Sequence, residues 1–370
     1  METELNIFLL QARKSIKNLL TFKSVLVILG NETCDLDSAI SSLTYGLLLN
    51  HLKTPESVVI PVFNIPREHL PVKTEVIYFL NKLNIGLDNV ICRDEIDLES
   101  LNRKGNLRLS LVDHHVLQPS DTGLVSSVVN VLDHRPQDPA WPWDNTDITL
   151  RIVGSCCTLV AEKLLTVAPD LVTPIVAVLL LGTILLDTAC LSPAVGRATP
   201  QDHQMAEALQ ARCDSSVERY QLFRELQAAK SDISSLTSSH LLIKDLKVAA
   251  GIPIAGLPIK VKEILKREDA QRAVQEFCKA HNTKLCVVYG SQIVQGTVTR
   301  DLAVYNQADE KTALEIVAAL TSNKEPDLDL QPQPCSVEGF MLFDQCNIKA
   351  TRKQILPIIR QVGEKISVEN

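Results

Sequence analysis

The sequence predicts an α/β protein of two domains: a parallel sheet with helices on both faces, followed by a smaller α+β domain. A chain of 370 residues is longer than one hydrophobic core normally supports. In its N-terminal part, short β-branched runs alternate with helical stretches, which is typical of βαβ units. A polar stretch separates this part from the rest. We therefore expect a first domain over 1–205, a helical linker over 206–235 and a second domain over 236–370.

The first domain contains four runs that read as buried strands, at residues 25–29, 58–62, 109–112 and 128–132. Helical patterns lie between and after them, at 38–49, 74–83, 156–166 and 175–186. Strands and helices in this alternation form a mainly parallel sheet. Ligand sites in such sheets lie beyond the carboxyl ends of the strands.

The second domain has a weaker pattern. Strands are predicted at residues 284–289 and 301–305, and helices at 311–320 and 353–362. The Asp- and Pro-rich segment "NKEPDLDLQPQP" reads as a loop between these two helices.

Composition narrows the class of protein. The net charge of −7 argues against a nucleic-acid surface built on bulk charge, although it leaves room for a local basic pocket. None of the ten cysteines forms a Cys-x-x-Cys pair, which favours buried free thiols in a reducing compartment over a zinc ribbon. The start "METELNIFLL" lacks the basic region of a signal peptide, and the apolar run at 171–186 is short for a membrane span. We expect a soluble intracellular protein.

Acidic and imidazole side chains follow the predicted strands closely. They are Asp35 and Asp37 after the first run, Asp113, His114 and His115 after the third, Asp133 and His134 after the fourth, and Asp187 at a helix end. Carboxylates with imidazoles and no thiolates suit Mn²⁺, Mg²⁺ or Co²⁺ better than structural zinc. Two such ions can clamp a phosphoryl group and lower the pKa of a water. Taken singly, each motif also fits a helix N-cap or a turn; together they favour a metal site.

Binding of phosphate also needs positive charge. Candidates are Arg135 and the clusters "IKDLK" at 243–247 and "TRKQ" at 351–354. A solvated surface is the alternative for both clusters. The segment "GSCCT" at 154–158 reads either as an anion-binding helix start or as an ordinary one.

The motifs "NETCDLDS", "LVDHH", "VLDHRP" and "LLLGTILLDTA", in this order, resemble the four N-terminal motifs of the DHH phosphoesterase superfamily. The second domain resembles the DHHA2 domain, which family II inorganic pyrophosphatases share with prune-type exopolyphosphatases. The sequence is most similar to the prune type, because of the Asn at the first ligand position and the doubled His in "VDHH".

The resemblance implies roles for individual residues. Asp35 should ligate one divalent cation and Asp37 the other. Asp113 should bridge both, and His134 and Asp187 should complete the ligand set of the second cation. Asn31 stands where pyrophosphatases have a histidine ligand, and would be a weak, neutral ligand. Asp113, His114 and His115 form the expected catalytic group, with one histidine contacting substrate or water. The expected substrate-binding residues are Arg135, Lys247, Arg352 and Lys353. Mn²⁺ or Mg²⁺ is the expected cofactor, with Co²⁺ as a further possibility.

The implied function is metal-dependent hydrolysis of short-chain polyphosphate, with cyclic-nucleotide phosphodiester hydrolysis as a further activity. One alternative is a regulatory or scaffold protein with weak activity, since Asn31 replaces a ligand and Ile243 replaces a cation of the prune pattern. Another is a family II inorganic pyrophosphatase, against which Asn31 and Arg135 speak. The resemblance also implies nucleoside diphosphate kinase as a protein partner. We expect no membrane and no nucleic acid as partners, and a cytoplasmic location with the nucleus left open.

Overall fold

The chain forms two compact units in a computed structural model, Met1–Asp232 and Ile233–Asn370. The structure describes residues 3–139, 143, 146–294 and 296–369, with side chains left out at 294 and 366–369. Each unit has a six-stranded sheet of its own.

The sheet of the first unit is entirely parallel, with the strand order β3-β2-β1-β4-β5-β6. Its strands are β1 Ser24–Leu29, β2 Ser57–Phe63, β3 Ile91–Cys92, β4 Leu107–Val112, β5 Val128–Asp133 and β6 Asp147–Leu150. The four predicted strands are confirmed as β1, β2, β4 and β5. The short strands β3 and β6 were not predicted, because two to four residues carry too little periodicity.

The helices of the first unit cover both faces of this sheet. They are α1 Glu4–Ser15, α2 Leu36–Leu52, α3 Thr74–Lys82, α4 Leu98–Lys104, α5 Cys156–Val167, α6 Pro174–Asp187, α7 Pro200–Gln210 and α8 Arg219–Ser231. Successive strand residues point to opposite faces, and the neighbours Ile28 and Leu29 are both fully buried. The continuous apolar runs of the sequence follow from this double burial.

The strand order reverses between β1 and β4, which makes their carboxyl ends a topological switch point. Three of the polar motifs follow β1, β4 and β5 directly. The fold thus brings these motifs to one edge of the sheet.

The polar stretch expected to link two domains differs from that expectation. Its C-terminal part contains α8, which packs against α3 and α6 and buries Leu222 and Leu226. These two leucines lie four residues apart on one helix face, so a mostly polar sequence still buries a stripe in the first unit.

The second unit has a mixed sheet with the order β11-β12-β10-β9-β8-β7. Its elements are α9 Ser238–Lys244, β7 Leu246–Ala249, β8 Ile252–Leu257, α10 Val261–Ile264, α11 Ala270–Ala280, β9 Leu285–Val294, β10 Thr297–Asn306, α12 Glu310–Ser322, β11 Leu330–Gln333, β12 Phe340–Gln345 and α13 Arg352–Glu369. Strand residues alternate between two cores, with Val288 in one and Val287 in the other. The α+β prediction is confirmed, but part of the expected loop at 323–334 is the edge strand β11.

Candidate active site

Asp37 lies in the first turn of α2 and is held by the first turn of α5. Its carboxylate accepts hydrogen bonds from the Cys156 N–H at 2.6 Å, the Cys157 N–H at 2.9 Å and the Ser155 hydroxyl at 2.8 Å. The segment 154–158 is therefore an anion-binding helix start, and the anion it binds is Asp37. The positive end of the α5 dipole lies at this carboxylate.

Asp113 lies directly after β4 and is 1% exposed. Its backbone has a φ of 60°, in the left-handed region that non-glycine residues seldom adopt. Such strain occurs most often at functional sites, where the surrounding structure holds it in place.

His134 lies directly after β5 with its Nε2 atom towards both carboxylates. Nε2 is 3.2 Å from Oδ1 of Asp113 and 3.7 Å from Oδ2 of Asp37. The other ring nitrogen, Nδ1, donates to the carbonyl oxygen of Val153 at 2.9 Å, which directs the lone pair of Nε2 to the site. One potential ligand atom from each of Asp37, Asp113 and His134 lies within 4.8 Å of the others, as a metal ion requires.

The pKa values of this group reflect its excess of negative charge. Burial raises the pKa of Asp113 to about 8, and the charge of Asp37 acts in the same direction. Burial lowers the pKa of His134, but the hydrogen bond to Asp113 and the charge of Asp37 outweigh it and raise this pKa to about 10. A positive charge is therefore favoured here, and a metal cation would supply it.

Asp187 is the last residue of α6, at the negative end of the helix dipole. Its Oδ2 atom is buried without a hydrogen-bond partner among the described residues. Burial raises its pKa far above the usual range, and the charges of Asp37 and Asp35 add to the rise. A buried carboxylate in this position lacks a compensating cation, so the side chain fits a divalent metal.

Asp35 is half-buried and caps α2, accepting from the Ser38 N–H at 3.1 Å. The helix-cap interpretation of this motif therefore applies to Asp35, and the cap does not use the second carboxylate oxygen. Asp35 and Asp187 are near enough to interact electrostatically but are not in the compact group of Asp37, Asp113 and His134.

Asn31 faces the site with its amide nitrogen rather than its oxygen. The oxygen Oδ1 accepts from the N–H groups of Thr33 and Cys34, at 2.9 and 3.0 Å, and from the Thr33 hydroxyl. The nitrogen Nδ2 donates to the Asp113 carboxylate. This orientation differs from the weak metal ligand expected from the sequence, because three loop donors already occupy the oxygen.

The two neighbouring histidines have different surroundings. His115 is 5% exposed; its Nδ1 contacts the Asp133 carboxylate and its Nε2 accepts from the Asp138 N–H at 2.9 Å. His114 donates from Nδ1 to the carbonyl oxygen of Val112, and burial lowers its pKa. His114 lines a cavity of about 280 Å³ together with Asn31 and Arg135. Of the two, His114 has the position suited to contact a ligand.

The expected substrate-binding cations lie in both units. In the first unit, Arg135 is 3.3 Å from Oδ1 of Asp113. In the second unit, Arg352 and Lys353 line a cavity at the start of α13. Lys247 is exposed on β7 and is not among the residues that line this cavity, whereas Lys244 is. In the register of β7 with β8, Lys247 lies beside Ile254, two residues before the lining residue Gly256, a displacement that the Asp-x-Lys motif alone did not reveal.

Sequence reasoning missed several side chains that build these sites. Ser155 could have been found from the sequence, because it stands at a predicted helix start. Lys244 could also have been found, because it belongs to the cationic cluster "IKDLK". Tyr289 and Arg300, which line the cavity of the second unit, lie in strands and had no signal that singled them out.

Comparison with known proteins agrees with this geometry. The family model of the DHHA2 domain matches residues 224–362. The chain is 35% identical over 342 residues to human exopolyphosphatase PRUNE1, covering 90% of this chain and 75% of the relative. It is 27% identical over 359 residues to mouse protein prune homolog 2, covering 96% of this chain and 11% of that one.

Among solved structures, an exopolyphosphatase-related protein from Bacteroides fragilis is similar with a TM-score of 0.43 and 12% identity, over 97% of this chain and 96% of that one. So slight a likeness does not bear on function. Among the described helices, none combines the length and the apolar character needed to cross a bilayer.

A buried group of two aspartates and a histidine at the carboxyl edge of a parallel sheet, in a chain that continues with a DHHA2 domain, defines a hydrolase of the DHH phosphoesterase superfamily. Within that class, this chain belongs to the prune family.

Proposed function

We propose that this chain hydrolyses short-chain inorganic polyphosphate and releases phosphate, with divalent cations bound in the first unit. The observation that carries the proposal is the group of Asp37, Asp113 and His134, whose ligand atoms lie within 4.8 Å of one another at the switch point of the sheet. The relatives of this chain include exopolyphosphatase PRUNE1, and that activity supports the choice of substrate.

The proposed ligands are Asp35, Asp37, Asp113, His134 and Asp187, and the proposed cofactor is Mn²⁺ or Mg²⁺, with Co²⁺ also compatible. All five offer oxygen or imidazole nitrogen, which these ions accept. Bound there, the ions supply Lewis acidity towards a phosphoryl oxygen and lower the pKa of a water.

The side chains around the ions have separate tasks in this proposal. Asn31 orients the Asp113 carboxylate through its amide nitrogen and does not act as a ligand. Arg135 binds phosphate oxygens, for which the planar guanidinium is well matched. His114 is neutral near pH 7, so its Nε2 accepts a hydrogen bond from substrate or water. His115 contacts the Asp133 carboxylate and, through the Asp138 N–H, helps to fix the segment that follows β5.

The remaining predictions rest on the resemblance alone. Arg352 and Lys353 bind substrate phosphate in this proposal, and Lys247 keeps that role only as a prediction. Association with nucleoside diphosphate kinase and a cytoplasmic location also stay predictions.

Phosphate release from pyrophosphate, tripolyphosphate and tetrapolyphosphate tests the proposal. The full chain, with Mg²⁺ or Mn²⁺, is expected to release phosphate from the two longer substrates. Asp113→Asn is expected to lower this release by more than about a hundredfold, since even an outer-shell partner of a metal is worth about 10–100-fold. The control Asp170→Asn changes an exposed carboxylate in the same unit. Metal-dependent release that persists in Asp113→Asn would contradict the proposal.

A further inference from the structure

The second unit contains a cavity of about 470 Å³ with a strongly positive lining. Four cations line it, Lys244, Arg300, Arg352 and Lys353, against one carboxylate, Asp245. An excess of three positive charges calls for a ligand with several negative charges.

Tyr289 lines this cavity with a hydroxyl that has no hydrogen-bond partner among the described residues. The residue is only 5% exposed. In the sheet it lies beside Gly256 on β8, another lining residue. A buried hydroxyl without a partner costs free energy, so it points to an oxygen atom of a ligand or of water.

The guanidinium of Arg300 is fixed at this cavity by its own contacts. It donates through Nη1 to the carbonyl oxygens of Ile348 and Ala350, in the segment just before α13. Its Nε is buried and has no partner among the described residues. Arg300 therefore places a positive charge at the cavity, and its Nε donor is available to a ligand.

Arg352 is fixed in the same way. It donates to the carbonyl oxygen of Asp245 and, at 2.8 Å, to Oδ1 of the same residue. Gly256 leaves the necessary room, since a Cβ atom there would lie 2.7 Å from Nη1 of Arg352. Burial raises the pKa of Tyr289, while the charges of Arg300 and Arg352 act in the opposite direction. Both guanidinium groups thus lie near a phenol that keeps its proton and can donate it in a hydrogen bond.

We propose that this cavity binds a linear chain of three or more phosphoryl groups, and that the Tyr289 hydroxyl and the Arg300 guanidinium contact it and favour such chains over pyrophosphate. The resemblance assigns only Arg352 and Lys353 here, so Tyr289 and Arg300 are additional specificity residues. The inference rests on the proposed function for the substrate class. The fixed guanidinium groups and the charge excess match a multiply charged chain better than a single phosphate.

Calorimetric titration of the full chain with tripolyphosphate, in EDTA, tests the inference without turnover. We expect Tyr289→Phe to weaken binding about tenfold, the value of one hydrogen bond to a charged group. The control Tyr305→Phe removes a hydroxyl from an equally buried tyrosine on the opposite face of the sheet, and is expected to leave binding unchanged. Pyrophosphate is expected to bind the wild-type chain more weakly than tripolyphosphate.

Folding of Tyr289→Phe is monitored by its melting temperature, which should equal or exceed that of the wild type because an unpartnered polar group is removed. A second pair of variants is independent of the tyrosine. Lys244→Gln should weaken tripolyphosphate binding, whereas Lys279→Gln, with the same loss of charge at an exposed position of α11 outside the cavity, should not.

Unchanged binding in Tyr289→Phe would overturn the inference, since the hydroxyl would then be satisfied by water. Equal binding of pyrophosphate and tripolyphosphate would overturn it too. These outcomes are distinct from failure of the proposed function. Binding that depends on Tyr289 in a chain without hydrolytic activity would overturn only the function, and hydrolysis without such binding would overturn only the inference.

Discussion

At the scale of single residues, Asp113 combines the features of a strained functional position. It has a φ of 60°, is almost fully buried, and contacts Asn31, His134 and Arg135. A non-glycine residue held in this region costs about 1–3 kcal/mol. Donors on three sides fix the carboxylate in one orientation, which is what a metal ligand needs.

The first prediction concerns Asn31. We expect Asn31→Ala to lower the affinity for Mn²⁺ by about 10–100-fold, because the amide nitrogen no longer orients Asp113. Calorimetric titration with Mn²⁺ measures the change, and Asn18→Ala, at an exposed asparagine, is the control. An affinity equal to that of the wild type would show that Asp113 is oriented by its other partners.

The second prediction concerns Asp187. We expect Asp187→Asn to raise the melting temperature of the metal-free chain, because the raised pKa makes Asp187 take up a proton on folding and asparagine does not need one. The rise in melting temperature caused by Mn²⁺ should become smaller, because a ligand is lost. Thermal unfolding with Mn²⁺ and with EDTA measures both effects, with Asp170→Asn as the control. A variant that is destabilised without metal and fully stabilised by Mn²⁺ would exclude Asp187 from the metal site.

At the scale of secondary-structure elements, the start of α5 fixes the position of the Asp37 carboxylate. Two backbone N–H groups and the Ser155 hydroxyl donate to this carboxylate. The positive end of the α5 dipole therefore lies at a carboxylate next to Asp113.

Glu95 joins three elements of the first unit and gives a third prediction. It accepts from Arg13 in α1 and from Arg67, both at 2.6 Å, and from the Cys92 N–H of β3 at 2.7 Å. Burial raises the pKa of Glu95, but these hydrogen bonds outweigh it, so the pKa lies below its usual value. A lowered pKa in the folded state means stabilisation that is present at neutral pH and is lost as the pH falls through the acid range.

We therefore expect Glu95→Gln to lower the free energy of unfolding by about 2 kcal/mol at pH 7, where the charged hydrogen bonds are intact. The difference from the wild type should shrink as the pH falls below about 4.5. Urea unfolding over this pH range measures it. The control Glu99→Gln changes an exposed pair with Arg103, from which little effect is expected. A difference that does not depend on pH would mean that packing, and not charge, is responsible.

At the scale of the whole molecule, each unit has its own hydrophobic core. The core of the first unit spans residues from Leu5 to Leu226. Two further cores, one on each face of the second sheet, lie within the second unit. Ligands that bind one unit are therefore expected to stabilise that unit first.

The fourth prediction is that scanning calorimetry shows separate unfolding transitions for the two units. Mn²⁺ should raise the melting temperature of one transition, and Asp113→Asn should abolish that shift. Tripolyphosphate in EDTA should raise a different transition, and Tyr289→Phe should reduce that shift. A single transition that both ligands move together would show that the two units unfold cooperatively.

Much of this molecule could be predicted from the sequence because the signals are local. The buried strands β1, β2, β4 and β5 are apolar runs, and β1, β4 and β5 are each followed by a polar motif. A parallel sheet places the carboxyl ends of its strands at one edge, so the approach of Asp37, Asp113 and His134 follows from order alone. The short strands and the packing of α8 were not predictable, since few residues carry their pattern.

The sequence by itself determined the two-domain α/β architecture, the family and the set of candidate ligands, because strand periodicity and motif order are properties of consecutive residues. Only the tertiary structure decided which atoms face each other. The amide of Asn31 turns its nitrogen to Asp113 because loop donors occupy its oxygen. Tyr289 and Arg300 meet Lys244 and Arg352 because strand pairing and the start of α13 bring distant segments to one cavity. Hydrogen-bond geometry and strand register are fixed by packing across the fold, so no local stretch of sequence contains them.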